Sequence, residues 1–293
     1  MYPYPFDYVR PDTLEEALVL AQEDGMKFLA GGQSLLPLLN LHVAEIKGVI
    51  DLQQVAPRLK FIEWEQDHVV LGSFLTHEEL HHASLLGRRC PLFPMAAACI
   101  GHPRIRQRGT LGGSLAHADP LAEWLLVMTL LEGKIILTSS QGERQIPFQE
   151  YLLGPMMTVL DPGELIVAVD ISLPEAASYG FVEMSRRPGD YALVAAGVSV
   201  LWDQDRIAKA SIVVSGISDV PLTFPVITRN LSDEYPSLGL IDDVKRAIEA
   251  EVDPPSDILA DASYRRHLAA TLVGRALYQA IDDRFQGQRL MAK

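Results

Sequence analysis

Apolar and polar positions along this chain change period several times, and each change marks an element. Leu14, Ala17, Leu18 and Ala21 recur on one helical face behind Thr13-Leu14-Glu15-Glu16, a capping box with Thr13 as N-cap and Glu16 three residues on. Gly25 is the expected stop of that helix. Residues 27–30 predict a short strand, a Gly-Gly turn follows at once, and residues 35–41 predict a helix that tolerates Pro37 in its first turn. Residues 49–52 predict a second short strand. The opening stretch therefore reads as a small α/β unit, β–turn–α–β.

From about residue 57 the texture changes. Residues 59–62 and 69–71 read as paired strands, and Thr76 opens a helix with Glu79 as its box partner. Residues 91–99 and 121–131 are apolar helices, and residues 134–138 and 165–173 are strand-like. Residues 174–178 read as a linker. Beyond it, residues 191–202 and 207–214 are Val-, Ile- and Ala-rich strands, followed by Pro, Ser and Asp clusters. Residues 261–285 carry a long helical pattern with Leu268, Leu272, Ala276 and Ala280 on one side. The expected domains are an N-terminal α/β unit over 1–56, a second α+β unit over 57–177 and a C-terminal domain over 178–293.

Composition narrows the function. The net charge is −13 with no long Lys/Arg run, which argues against nucleic acid and anionic membrane as main partners. Cys90 and Cys99 fit no zinc or iron–sulfur spacing and make no disulfide framework. Neither a signal peptide nor an 18-residue apolar run is present, so a cytoplasmic location is expected.

Two glycine-centred segments carry the candidate chemistry, Ala30-Gly31-Gly32-Gln33-Ser34 and Thr110-Leu111-Gly112-Gly113-Ser114. Adjacent glycines allow positive φ and close backbone approach, so such turns aim successive N–H groups into a concavity that binds a diphosphate. In an acidic protein those local dipoles must outweigh a repulsive average field, and a hydrogen bond to a charged group contributes about 1.5–3 kcal/mol. Neither segment is a G-x-G-x-x-G fingerprint, and no G-x-x-x-x-G-K-[ST] occurs. His77-Glu78-Glu79-Leu80-His81 matches H-E-x-x-H, but it starts a short, polar, exposed-looking helix with no third ligand at the usual spacing, so no metal is expected there.

The flanks of the second segment, Gly101-His102-Pro103-Arg104-Ile105-Arg106-Gln107-Arg108-Gly109-Thr110 through Pro120, resemble the FAD-binding (medium) subunit of the molybdenum hydroxylases, the carbon monoxide dehydrogenase and xanthine dehydrogenase type. Ala30 to Pro37 is similar to that family's other flavin motif. Arg186-Arg187-Pro188-Gly189-Asp190-Tyr191-Ala192 resembles its C-terminal signature, and Asp261 to Leu268 its final helix. The resemblance implies an α+β fold of the FAD-binding para-cresol methylhydroxylase type, two subdomains that sandwich FAD, and a C-terminal antiparallel sheet with a helical bundle.

It also implies site residues. Lys27, Phe28, Leu29, Ala30, Gly31, Gly32, Gln33, Ser34 and Leu35 would wrap the diphosphate and part of the adenosine. Thr110, Gly112, Gly113 and Ser114 would close on the diphosphate and ribityl, with Ile105, Ala116 and His117 alongside. Asp119 and Glu123 would accept from ribose or ribityl hydroxyls. Ile166 and Val167 would pack against the cofactor, and Tyr191 would lie near the isoalloxazine. Plainer readings stand beside these. Asp119 also caps a helix beginning at Leu121, Glu123 suits a first helical turn, and Ile166 and Val167 suit a strand core. Arg104, Arg106 and Arg108 form either a solvated edge or an anion or partner contact.

Two departures from the family pattern are Ser114, where relatives often carry Asn, and Val182, where some carry a flavin-contacting Lys. The implied function is non-covalent FAD carriage within a larger complex. Electrons would arrive from the 2Fe–2S clusters of a small partner subunit, after a large molybdenum subunit has oxidised the substrate, and leave to an external acceptor. The expected assembly is a dimer of heterotrimers. The alternatives are a stand-alone FAD-dependent oxidoreductase and a non-redox nucleotide-binding subunit. Substrate and acceptor stay open.

Overall fold

The computed structural model describes residues 2–285. In chain order its elements begin β1 (Asp7–Val9), α1 (Leu14–Leu20), β2 (Met26–Leu29), α2 (Leu35–Asn40) and β3 (Gly48–Asp51). After a 3₁₀ turn over Ala56–Leu59 come β4 (Ile62–Glu65), β5 (His68–Gly72), α3 (His77–His82), α4 (Ser84–Arg89), α5 (Leu92–Cys99), α6 (Pro103–Arg106), α7 (Leu111–His117) and α8 (Glu123–Leu130). Then follow β6 (Lys134–Ser139), β7 (Gly142–Pro147), α9 (Phe148–Tyr151), β8 (Leu152–Gly154), β9 (Met157–Thr158) and β10 (Leu165–Ser172). The chain ends with β11 (Ala177–Ser185), β12 (Ala192–Asp203), β13 (Arg206–Ser215), β14 (Leu222–Thr223), α10 (Pro225–Arg229), α11 (Leu238–Glu251) and α12 (Ala262–Phe285). Two compact units result. The first takes the chain up to Glu79 with His102–Ala118 and Gly133–Ile171. The second takes Leu80–Gly101, Asp119–Glu132 and the chain from Ser172 onward. Residues 286–293 of the expected C-terminal domain lie outside the described residues.

In the first unit β3 is the centre of a parallel three-stranded sheet, β1–β3–β2, with Met26 and Asp7 both opposite Gly48. All of β3 is buried. Ile50 joins Ala17 and Leu18 of α1, Leu52 and Phe74 in one core. The box at α1 is half reciprocal. Thr13 Oγ1 accepts from Glu16 N at 3.1 Å, while the Glu16 carboxylate accepts from Asp12 N. The helix stops at Leu20 rather than at Gly25, whose φ of +77° instead shapes the turn into β2. A second sheet runs β4–β5–β10–β6–β7. Its first hairpin pairs Ile62 with Leu71. Leu59 is not in that strand. It closes the 3₁₀ turn, where its carbonyl accepts from Phe74 N at 2.8 Å.

The second unit centres on an antiparallel sheet, β11–β12–β13–β14. Alternation along β12 assigns its faces. Val194, Ala196, Val198 and Val200 share a core with Leu268, Leu272, Ala276 and Ala280 of α12. On the opposite face a Cβ at Gly197 would come within 2.5 Å of Leu126 of α8. The residues of α8 are buried except Thr129, and Trp124 packs on Phe93 of α5 with ring centroids 5.9 Å apart. β11 starts inside the expected linker. Helix α11 lies in the stretch that read as Pro, Ser and Asp clusters, where Ser237 Oγ accepts from Leu240 N and Ile241, Val244 and Ile248 are buried. Among the described residues no helix is long and apolar enough to cross a membrane.

Candidate functional site

β2 delivers the chain into the first glycine segment. A Cβ at Gly31 would fall on the Arg108 carbonyl oxygen and lie 3.0 Å from the Gly109 Cα, so only glycine lets these two stretches touch. Gly32 has φ +70°, a left-handed turn. Gln33 Nε2 donates to the Gly31 carbonyl at 3.0 Å and Gln53 Nε2 to the Ala30 carbonyl at 3.2 Å, which fixes the loop from its oxygen side. Among the described residues no backbone N–H from Gly31 to Leu35 donates to a protein acceptor. Ser34 makes no side-chain capping bond to α2. A run of unsatisfied amides around a left-handed residue is an anion-binding nest.

The second glycine segment differs from the expected turn. It is the first turn of α7, with Thr110 as N-cap, and its amides are already bonded. Leu111 N donates to the Leu75 carbonyl at 2.9 Å, Gly112 N to the Ser73 carbonyl at 2.8 Å, and Gly113 N to Thr110 Oγ1 at 3.1 Å. Gly112 serves close packing, since a Cβ there would lie 2.6 Å from Ser73 Cβ. A Cβ at Gly113 would lie 3.8 Å from Ala30 Cβ, so the two glycine segments are neighbours in one unit. The first presents backbone donors. The second presents the half-buried Ser114, while the Thr110 hydroxyl is buried and taken up as the cap of α7.

Several other expected residues gather around this pair. The Ile105 carbonyl accepts from Gly109 N at 2.7 Å and closes the turn before α7. Phe28, Ala30 and Val167 pack against one core, and Ile166 is buried in β10. Lys27 is exposed on β2 and Leu29 half-buried. Ala116 is exposed and His117 half-buried on α7. Of the arginine alternation, Arg106 is held by Glu78 at 2.9 Å.

The second unit holds Asp119, Glu123 and Tyr191. Asp119 Oδ1 accepts from Leu121 N at 2.9 Å, closing a turn two residues before α8, which begins at Glu123 rather than Leu121. Glu123 is 8% exposed, and burial, with Glu183 and Asp119 adding negative charge, pushes its carboxyl up to about 8. Tyr191 leaves over half its surface exposed, yet its hydroxyl end lies among acids. Burial, then the charges of Asp119 and Glu123, push the phenol up to about 12. Glu183 joins this group unforeseen, its carboxyl pushed up to about 7 by burial. The signal was available only after recognising β11, where a glutamate interrupts the apolar run Phe181-Val182-Glu183-Met184.

The H-E-x-x-H stretch is not the exposed surface its polarity suggested. His77 is 5% exposed, and burial, then the Arg106 charge, lower its pKa to about 4. Its ring packs under Gly109, where a Cβ would lie 2.6 Å from Nε2. His81 Nδ1 lies 3.1 Å from the Pro94 carbonyl. Among the described residues no group of three His, Cys, Asp or Glu side chains is placed to hold a metal.

Residues 4–175 match the FAD binding domain in molybdopterin dehydrogenase, and residues 179–280 match the CO dehydrogenase flavoprotein C-terminal domain. The chain belongs to the FAD-binding subunits of the molybdenum hydroxylase family. This FAD-binding subunit is 37% identical over 285 residues to the 6-hydroxypseudooxynicotine dehydrogenase complex subunit alpha of Paenarthrobacter nicotinovorans, covering 96% of each chain. It is 30% identical to the carbon monoxide dehydrogenase medium chain of Afipia carboxidovorans, covering 96% of this chain and 98% of that one. Among solved structures, a chain of quinoline 2-oxidoreductase from Pseudomonas putida 86 superposes with TM-score 0.92 at 30% identity over 97% of this chain and 99% of that one. The FAD-binding subunit is thus an oxidoreductase subunit of α+β fold that binds FAD. Its own residues fit that cofactor. The unsatisfied amides from Gly31 to Leu35 suit a diphosphate.

Proposed function

We propose that this FAD-binding subunit passes electrons from the 2Fe–2S clusters of a small partner subunit to an external acceptor, while a large molybdenum subunit oxidises the substrate. Relatives with chemically unrelated substrates support it. Proteins named for 6-hydroxypseudooxynicotine, caffeine and carbon monoxide each align with about the whole of this chain, at 37%, 32% and 30% identity. A subunit kept whole across such different substrates is not where substrate is selected.

The observation that carries the cofactor grip is the run of unsatisfied amides from Gly31 to Leu35, packed on Arg108 and Gly109. In this reading Lys27 to Leu35 hold diphosphate and adenosine without a covalent bond. Ser114 offers a hydroxyl, with Thr110, Gly112 and Gly113 shaping the wall, and Ile105, Ala116 and His117 stand alongside. Asp119 and Glu123 accept from polyol hydroxyls, Ile166 and Val167 give apolar backing, and Tyr191 screens the ring from water. Bound FAD supplies chemistry stable with zero, one or two electrons, and the protein supplies position and electrostatics. Apart from Tyr191, these residues fall within 1–56 and 57–177, and residues 178–293 carry the C-terminal domain. The complex is a dimer of heterotrimers in the cytoplasm.

Co-expression with its partner chains tests this. The flavin is expected to bleach on addition of the complex's substrate only when all three subunits are present. Turnover of that substrate by the isolated FAD-loaded chain would contradict the proposal.

A further inference from the structure

The carbonyl side of the first glycine segment is closed by two side-chain amides, and one of them comes from outside the segment. The ladder between β2 and β3 runs out where Leu52 N donates to the Leu29 carbonyl at 3.0 Å. One residue on, the Ala30 carbonyl is taken by Gln53 Nε2 at 3.2 Å, and the Gly31 carbonyl by Gln33 Nε2 at 3.0 Å. Gln53 is itself held. Its backbone N–H donates to Asp51 Oδ1 at 3.0 Å, and Asp51 Oδ2 accepts from the Tyr8 hydroxyl. Asp51 is buried at the end of β3. A phenol from β1, a carboxylate from β3 and the chain leaving β2 thus meet around one glutamine.

A trans peptide carries its C=O and its N–H on opposite sides. Holding the Ala30 carbonyl toward Gln53 therefore turns the Gly31 N–H the other way. Holding the Gly31 carbonyl toward Gln33 does the same for the Gly32 N–H. Those two N–H groups begin the unsatisfied run. Each of the two peptides is followed by a glycine, which reaches either sign of φ, so the backbone alone resists half a turn of either plane only weakly. A peptide turned over would aim a carbonyl oxygen where a diphosphate needs a donor, and attraction would become repulsion.

We propose that Gln53 is a positioning residue for the cofactor, holding the Ala30–Gly31 peptide with its N–H forward before the diphosphate arrives. Gln33 holds the next peptide in the same sense. The inference rests on the reading of the Gly31–Leu35 amides as the diphosphate grip, and adds what keeps that grip formed in the free chain. Donors already oriented spare the cost of ordering them on binding.

The test uses the full-length chain stripped of flavin, titrated with FAD and with ADP. A melting curve and a glycine-labelled amide spectrum of each apoprotein accompany the titrations. Q53M keeps the length of the side chain and removes its donor, and Q53A removes the side chain. Both are expected to weaken FAD and ADP by the same factor, about threefold to tenfold, the worth of one hydrogen bond. Melting temperatures should fall by no more than a few degrees, because Gln53 is exposed. The Gly31 amide signal, single and sharp in the wild type, should broaden or double in both variants while that of Gly197 in β12 stays unmoved. Unchanged affinity for both ligands, a loss confined to FAD, or a Gly31 signal that stays single and sharp in both variants would each overturn the proposal. A wild-type chain that binds neither FAD nor ADP would instead sink the underlying reading of the diphosphate grip.

Discussion

The backbone of Gly31 lies against the Arg108 carbonyl so closely that a methyl group on residue 31 would fall on that oxygen. The contact joins the first glycine segment to the turn that launches α7. Gly31→Ala must push the two apart or fail to pack. Overpacking of this kind costs about 1–3 kcal/mol. We expect a melting temperature several degrees lower and FAD affinity reduced at least tenfold, read by thermal melt and flavin titration. Wild-type values for both would show that the close approach is dispensable.

Thr110 caps α7 through its hydroxyl, which accepts from Gly113 N at 3.1 Å. Thr110→Val keeps the shape and leaves that amide without its partner. The expected loss is about 1 kcal/mol of stability, the usual worth of an N-cap. Thr110→Ser should restore it, and calorimetry of the two variants checks the pair.

Glu123 makes apoprotein stability fall as pH rises. Its carboxyl, ordinarily near 4.5, is pushed up to about 8 in the fold, so the native state binds more protons than the unfolded chain between those values. Stability is therefore lost across pH 4.5 to 8, and the deficit is complete above it. Glu183, pushed up to about 7, acts in the same direction. Glu123→Gln should flatten the slope and gain on the order of a few kcal/mol above pH 8. A slope unchanged in the variant would show that the charge is compensated.

His77 is a core residue, so zinc should not stabilise the protein. Melting of chelator-treated protein is expected to be unmoved by zinc. His77→Ala should cost about 2–4 kcal/mol through the space it leaves under Gly109, judged by the range for large-to-small core changes. A zinc-dependent rise in melting temperature abolished by His77→Ala and His81→Ala would contradict this placement.

The sequence showed most of the first unit because its elements carry local signals. The box at Thr13, the paired glycines and the β-rich residues 49–52 each state their conformation within a few residues. The long face of Leu268, Leu272, Ala276 and Ala280 was equally plain, and all four are buried in α12. What stayed hidden depends on partners distant in sequence. The glycines at 112 and 113 looked like a donor-presenting turn, but their amides are taken by Ser73 and by Thr110, which only the folded chain brings into place. His77 looked exposed because its neighbours are polar, and its cover comes from Gly109. Glu183 was missed because β11 was read partly as linker, so the inward face of that glutamate had no register to reveal it.

The central claim is that the unsatisfied amides from Gly31 to Leu35 hold the diphosphate of FAD. Titration of the flavin-free chain with FAD, with ADP as competitor, and the same titrations on Gly32→Ala test it most directly. Gly32 holds φ +70°, and a Cβ there disfavours the turn by about 1–2 kcal/mol. The account predicts one FAD per chain, displacement by ADP, and a matching loss of affinity for both ligands in Gly32→Ala. A folded wild-type chain that binds FAD but is indifferent to ADP, or whose Gly32→Ala variant binds both normally, would contradict it.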